Sequence, residues 1–295
     1  MPVGKTCDLG GPAESLQRKE LEFWEGLRKS GDEVELKLAR DLPDDTPAFI
    51  LRMLTEFERE AAEFSFGGAA GIVLDAGCGN GNLLLRALEK ENGAKAKKAA
   101  PKVATKFVGM DFSRNMLRRA ASRAAEAHGA KGDVGEDFFQ GSVTRLPFRD
   151  QSFDWLVSSG VLTCLPSPVD AANALKEFHR VLRPGGMLVV DFFNSASHFT
   201  LVRKHLFREA INPPEYITPS DFLAELENAG FQIVTYRGFD FKPYQGYLFM
   251  SRWRKLIDPF FFQERLSRII EIRVVPRVLR LSLFGYRIYV KCIRK

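Results

Sequence analysis

The chain has 295 residues, 45% hydrophobic and 27% charged, which is enough apolar mass for a folded core and excludes a disordered or fibrous polymer. No run reaches the roughly 18–20 apolar residues of a membrane-spanning helix, and the N-terminal segment holds no apolar signal core, so a cytoplasmic location is expected. The net charge of +6 is uneven: residues 241–295 carry 13 Lys/Arg against 3 Asp/Glu, and the rest of the chain is slightly acidic, which points to an anionic partner at one end.

In chain order, residues 1–12 read as irregular. Leu16, Leu21, Phe23, Trp24 and Leu27 then space an amphipathic helix over 14–38. Thr46-Pro47 reads as an N-cap with proline at the first helical position, opening a second helix to about Phe64. Together they form a helical cap, residues 1–66. A short buried strand is predicted over 72–75, a Gly-rich turn over 77–81 and a helix over 80–90. The Ala/Lys-rich stretch 92–101 reads as an exposed loop.

The alternation continues with a strand over 103–110 and a helix over 113–128, capped by Ser113 and closed by Gly129. Strands follow at 137–140 and 154–158, a helix at 169–182, a turn over 182–186 and a strand at 187–193. Thr218 opens a helix that ends at Gly230, a strand covers 231–241, and a closing strand covers 286–293. Strands alternating with helices imply right-handed crossovers and a parallel sheet. The core then spans 67–241, a basic aromatic insertion 242–284, and residues 285–295 return to the core. The four cysteines, Cys7, Cys78, Cys164 and Cys292, form no CxxC or Cys/His pattern, so neither a metal site nor a disulfide framework is expected.

The chemistry concentrates in Asp75-Ala76-Gly77-Cys78-Gly79-Asn80-Gly81, at the end of a strand and the start of a helix. Glycine lets the backbone take positive φ and approach a ligand closely. Helix N-termini present free N–H groups. The carboxylate of Asp75 suits an ammonium or a positioned water, and its place beside the turn would repel a diphosphate. The D-x-G-x-G-x-G spacing also differs from the dinucleotide fingerprint. Asp111 ends the next strand, where a carboxylate can accept both hydroxyls of a ribose. Phe112 beside it could pack on a flat base.

These residues, with Leu146-Pro147-Phe148, Ser152-Phe153-Asp154 and the run from Phe178 to Gly186, occur in one order and spacing. In this the chain resembles the class I S-adenosylmethionine-dependent methyltransferases, and within them the quinone-biosynthesis (type 11) branch. The resemblance covers about residues 70–194. It implies a doubly wound, Rossmann-like α/β fold with a seven-stranded sheet whose last strand is antiparallel. It also implies S-adenosylmethionine as cofactor, with S-adenosylhomocysteine as product. By position, Asp75, Gly77, Gly79 and Gly81 surround the methionine part, Asp111 holds the ribose, and Phe112 and Met116 flank the adenine. Ser142 and Val143 meet the adenine edge, where the family often has an acidic residue. Ser158 and Ser159 line the cofactor.

Methyl transfer needs in-line approach of the acceptor at about 3 Å in a dry pocket, and a base only when the nucleophile is a neutral acid. His198, after the fifth strand, is the candidate base. His128, His179 and His205 are read as structural. Thr163, Cys164, Tyr216, Tyr244 and Tyr247 are candidates for the acceptor wall. The Asn-Pro-Pro-Glu-Tyr run at 212–216 reads as a loop. In 242–284, Phe249, Trp253, Leu256 and Ile257 alternate with Arg252, Arg254 and Lys255, followed by three phenylalanines at 260–262. That pattern suits a lid over a small apolar or lipid-like acceptor, or peripheral contact with a membrane surface. It also suits RNA, and it is open to a packing insertion with solvated arginines. An enzyme acting on a small apolar molecule, an RNA methyltransferase and a non-catalytic cofactor-binding module remain the three readings.

Overall fold

The computed structural model describes residues 22, 48–86, 106–128, 137–197, 200–201, 217–239, 269, 274 and 279–295. Several expected features lie outside them. These are most of the helix over 14–38, the stretch 92–101, the run 212–216, nearly all of 242–278, and His198, His205, Tyr216, Tyr244 and Tyr247.

The described chain runs α1 (Ala48–Phe66), β1 (Ile72–Ala76), β2 (Lys106–Asp111), α2 (Arg114–His128), β3 (Phe138–Gln140), β4 (Phe153–Ser158), α3 (Pro168–Val181), β5 (Leu182–Phe193), α4 (Pro219–Asn228), β6 (Phe231–Phe239) and β7 (Arg287–Arg294). Short 3-10 turns stand at Leu162–Cys164 and Leu279–Phe284. The seven strands form one sheet in the order β3-β2-β1-β4-β5-β7-β6. β1 through β5 pair in parallel. β7 lies antiparallel between β5 and β6. This is the sheet that the motifs implied. Strand order reverses between β1 and β4, and in such sheets ligands bind beyond the strand ends at that point.

Period-2 alternation divides the apolar side chains between two layers. On one face Leu74, Leu156, Leu188, Val190, Ile288 and Val290 pack under α3 and α4 through Phe178, Phe222 and Leu226. On the other, Val73, Trp155, Val157, Val189 and Tyr289 meet Phe57, Ala61 and Phe66 of α1. The helix read from sequence as part of a cap is therefore packed directly on the sheet. The Trp155 indole N–H donates to the Ser65 carbonyl at 2.9 Å, and Phe57 meets Phe239 edge-on at 5.1 Å. Lys291 places its ammonium 5.0 Å over both the Phe64 and Trp155 rings. Burial lowers the pKa of that amine, against the nearby Glu63, which raises it.

Two helix starts follow their capping residues. The Ser113 hydroxyl accepts from the Met116 N–H at 3.2 Å, and the Thr218 hydroxyl from the Asp221 N–H at 3.3 Å. Residues 182–186 differ from expectation. They are not a plain turn: α3 stops at Val181 and β5 begins at Leu182, which pairs with Phe153 before the register shifts. The extra residues are absorbed as a bulge, with Gly185 at φ 78°.

The other shared motif blocks prove to be one latch. Arg180 donates to the carbonyls of Phe148 (2.8 Å) and Leu146 (3.0 Å) and pairs with Asp150 and Glu177. Glu177 in turn accepts from the Leu146 N–H at 2.7 Å. The Arg180 hydrogen bond leads in holding the Glu177 carboxyl below its usual range. The loop that carries Ser142 and Val143 is thus tied to α3. Phe178, fully buried beside Arg180, anchors that helix. Truncation of Phe178 to alanine should cost on the order of 3–5 kcal/mol in urea unfolding. A loss under 1 kcal/mol would mean that the layer closes around the gap.

Candidate active site

The Gly-rich turn sits at the reversal point of the sheet. Gly77 and Cys78 donate their N–H groups to the Met110 carbonyl at 2.7 and 2.9 Å, tying the turn to β2. Gly79 donates to Asp111 Oδ2 at 2.9 Å, and Ser113 to Asp111 Oδ1 at 2.8 Å. Asp111 is therefore a brace for the turn, with a backbone N–H on each of its oxygens. Gly77 has φ 83°, and a Cβ there would overlap the Val161 Cγ2 methyl. At Gly79 (φ 55°) the space a Cβ would take is open. Gly81 serves packing: a Cβ there would press on Ala120 of α2 at 3.2 Å.

Asp75 is 2% exposed, and its Oδ2 has no hydrogen-bond partner among the described residues. Burial, and then the charge of Asp111, push its pKa up to about 7. Burial, and then the charges of Asp75 and Asp111, raise the Cys78 thiol. A buried partnerless carboxylate is costly unless a cation or donor arrives to pair with it.

The remaining predicted residues spread around this centre. Ser158 is buried and donates its hydroxyl to the Ala76 carbonyl at 2.9 Å. Ser159 turns toward the last strand, its hydroxyl 2.8 Å from the Tyr289 hydroxyl. Phe112 is exposed, and Met116 is buried at the start of α2. Val143 is buried, whereas Ser142 is exposed with its hydroxyl 2.8 Å from that of Thr144. The Thr163 hydroxyl is buried with no partner among the described residues, and Cys164 is exposed. His179 lies against Phe231 at 5.5 Å, in a structural position.

Sequence reasoning missed Asp191 and Arg287. Asp191 is fully buried, accepts from the Gly160 N–H at 2.6 Å and pairs with Arg287. The signal was there in part: a lone carboxylate inside the apolar run 187–193. Its partner, 96 residues further on, carries no local mark.

A family model described as a methyltransferase domain matches residues 69–230. The chain belongs to the methyltransferase-domain family. A demethylmenaquinone methyltransferase of Staphylococcus epidermidis is 34% identical over 116 residues, covering 39% of this chain and 40% of the relative. The chain thus spans about two fifths of the length of the curated relatives it matches. The fold is shared with magnesium protoporphyrin IX methyltransferase from Synechocystis PCC 6803, solved with S-adenosylhomocysteine (TM-score 0.54, 14% identity, 96% of this chain and 97% of that one). It is also shared with geranyl diphosphate C-methyltransferase from Streptomyces coelicolor A3(2), solved with Mg2+, geranyl diphosphate and S-adenosylhomocysteine (TM-score 0.53, 14% identity, 97% and 100%).

The residues present fit the S-adenosyl donor of this family. The orphaned Asp75 oxygen meets the need of an ammonium, the open side of Gly79 leaves room at the turn, and the Asp111 carboxylate is braced against that turn at the end of β2. Among the described residues, no group of three His, Cys, Asp or Glu side chains could hold a metal ion. Among them, too, no helix is long and apolar enough to cross a membrane.

Proposed function

We propose that this chain is an S-adenosylmethionine-dependent methyltransferase whose acceptor is a small apolar or lipid-like molecule. The observation that carries the donor half is the buried, unpartnered Asp75 oxygen beside the Gly-rich turn. When bound, the donor supplies an electrophilic methyl group on a sulfonium. Asp75 holds the cationic end, the turn gives close backbone approach, and Asp111 orients the sugar. Val161, pressed over Gly77, keeps water from that side of the turn.

The acceptor half is supported by an aromatic cluster at the end of β5 and the start of β7, of which Phe193 is half-buried. Phe193, at the end of β5, stacks on Tyr286 at 5.0 Å, and Arg287 lies over both Phe193 and Tyr289. The names of the demethylmenaquinone and geranyl diphosphate enzymes favour the same acceptor class. The basic aromatic segment 242–284 adds a candidate lid or membrane-facing surface. The same basic residues motivate a second reading, methylation of RNA.

Calorimetry with S-adenosylmethionine should show one-site binding. Label from methyl-labelled donor should then pass to a prenylated 1,4-naphthoquinol in detergent micelles, not to total tRNA. Label in tRNA alone would overturn the acceptor reading. Absence of donor binding would overturn the enzyme reading as a whole.

A further inference from the structure

The helix that leaves the Gly-rich turn is gripped from α1. Its first turn rises straight out of Gly81, whose carbonyl accepts from the Leu85 N–H at 2.9 Å. Glu58 of α1 reaches residues 82–86 with one oxygen: Oε2 accepts from Asn82 Nδ2 at 2.8 Å and from Arg86 Nη2 at 3.0 Å. The Asn82 amide is engaged on its other side, where Oδ1 accepts from Arg123 Nη2 of α2 at 3.3 Å. The Asn82 N–H donates to Asn80 Oδ1 at 3.1 Å, inside the turn itself. Leu84, between the two in sequence, is buried in the same apolar layer as Phe57 and Ala61 of α1. Asn82 and Arg86 therefore tie the turn to α1, and Asn82 ties it also to α2.

We propose that Glu58 and Arg86 are positioning residues for the methyl donor, and that the docking of α1 and the binding of the donor are coupled through their contact. The inference rests on the donor reading above and needs only that the donor meets the Gly-rich turn. Two features support it. The Glu58 and Arg86 side chains are only 14% and 15% exposed, and losing one partner of a pair so far buried strands the other. The second feature is a contrasting contact two residues further along α1. Glu60 pairs with Arg237 of β6, at the edge of the sheet, and so holds the same helix from a different strand.

A contact that only stabilised the fold would not set affinity. Calorimetric titration of the full chain with S-adenosylhomocysteine should show Glu58→Ala and Arg86→Met each binding about tenfold more weakly than wild type. The double variant should lose no more than either single one, because all three break one contact. Arg86→Lys, which keeps a cation for Glu58, should recover most of the loss. Glu60→Ala loosens α1 at its other anchor and should bind within about twofold of wild type, whatever its melting temperature. Coupling is reciprocal, so bound S-adenosylhomocysteine should slow hydrogen exchange in α1 more than in α4, which packs on the other face of the sheet.

Losses that do not accumulate, with Glu60→Ala spared, are the expected result. Losses that multiply in the double variant, no recovery by lysine, wild-type affinity in Glu58→Ala, or an equal loss in Glu60→Ala would overturn the coupling and leave the donor reading standing. Wild type that binds no S-adenosylhomocysteine would overturn both. Should Glu58→Ala not fold, exchange in the wild-type protein decides: equal slowing of α1 and α4 would sink the idea.

Discussion

Asp75→Asn should weaken S-adenosylmethionine binding by about 30- to 100-fold, the loss of one charge-assisted contact, while making the free protein more stable. The two effects share one cause. Asp75 is buried beside Asp111 without a partner for Oδ2, and its pKa rises from 3.8 to about 7. For a carboxyl raised on folding, the folded state holds its proton longer than the unfolded chain does. Stability is therefore lost as pH rises from about 4 to about 7, and the cost above that window is on the order of 4 kcal/mol. Asparagine removes the titration. At about pH 8 the free variant should melt higher than wild type, and its melting temperature should stop falling across the acid-to-neutral range. A bound ammonium reverses the balance by favouring the carboxylate. Wild-type donor affinity should accordingly rise through about pH 7 and then level, with proton release visible as a buffer-dependent enthalpy. Melts and titrations from about pH 5 to pH 8.5 check both halves. An asparagine variant with unchanged affinity and no gain in stability would remove Asp75 from the site.

Gly77→Ala should abolish measurable donor binding at micromolar ligand and destabilise the fold by roughly 2–4 kcal/mol. Part of this is backbone strain, since Gly77 sits at φ 83° and its N–H is committed to the Met110 carbonyl at 2.7 Å. The rest is overlap with Val161 Cγ2. The double variant Gly77→Ala/Val161→Ala separates the two. Removing the valine methyls should recover the overlap but not the strain, so the coupling between the two sites should be favourable by about 1–2 kcal/mol in urea unfolding. Strict additivity would show that Val161 does not bear on the turn in solution.

The parts of this molecule visible in its sequence are those whose causes are local. The strand–turn–helix at residues 72–86 follows from a buried run, glycines and a following helix. The caps at Ser113 and Thr218 follow from hydroxyls placed just before apolar periodicity. Asp75 and Asp111 stand where strand ends put them. What was hidden depends on distant partners. The Pro-Gly-Gly sequence at 184–186 looks like a turn, but pairing of Leu182 with Phe153 draws it into a strand. The helix at 48–66 reads as a cap because nothing nearby reveals Trp155 and Tyr289 beneath it. Asp191 and Arg287 meet only because β7 inserts beside β5. Ser159 likewise turned out to face that strand through Tyr289, a contact across 130 residues.

The place of β7 has a consequence for biosynthesis. It follows the other six strands in chain order, yet it lies inside the sheet, with β5 on one side and β6 on the other. Until it emerges from the ribosome, β6 has no neighbour in the sheet, and Asp191 lacks the guanidinium that neutralises it. A nascent chain stopped short of Arg287 would leave the facing edges of β5 and β6 unpaired and the Asp191 carboxylate without that guanidinium. The sheet is then closed by the same strand that brings Arg287 to Asp191, so strand pairing and charge neutralisation come together.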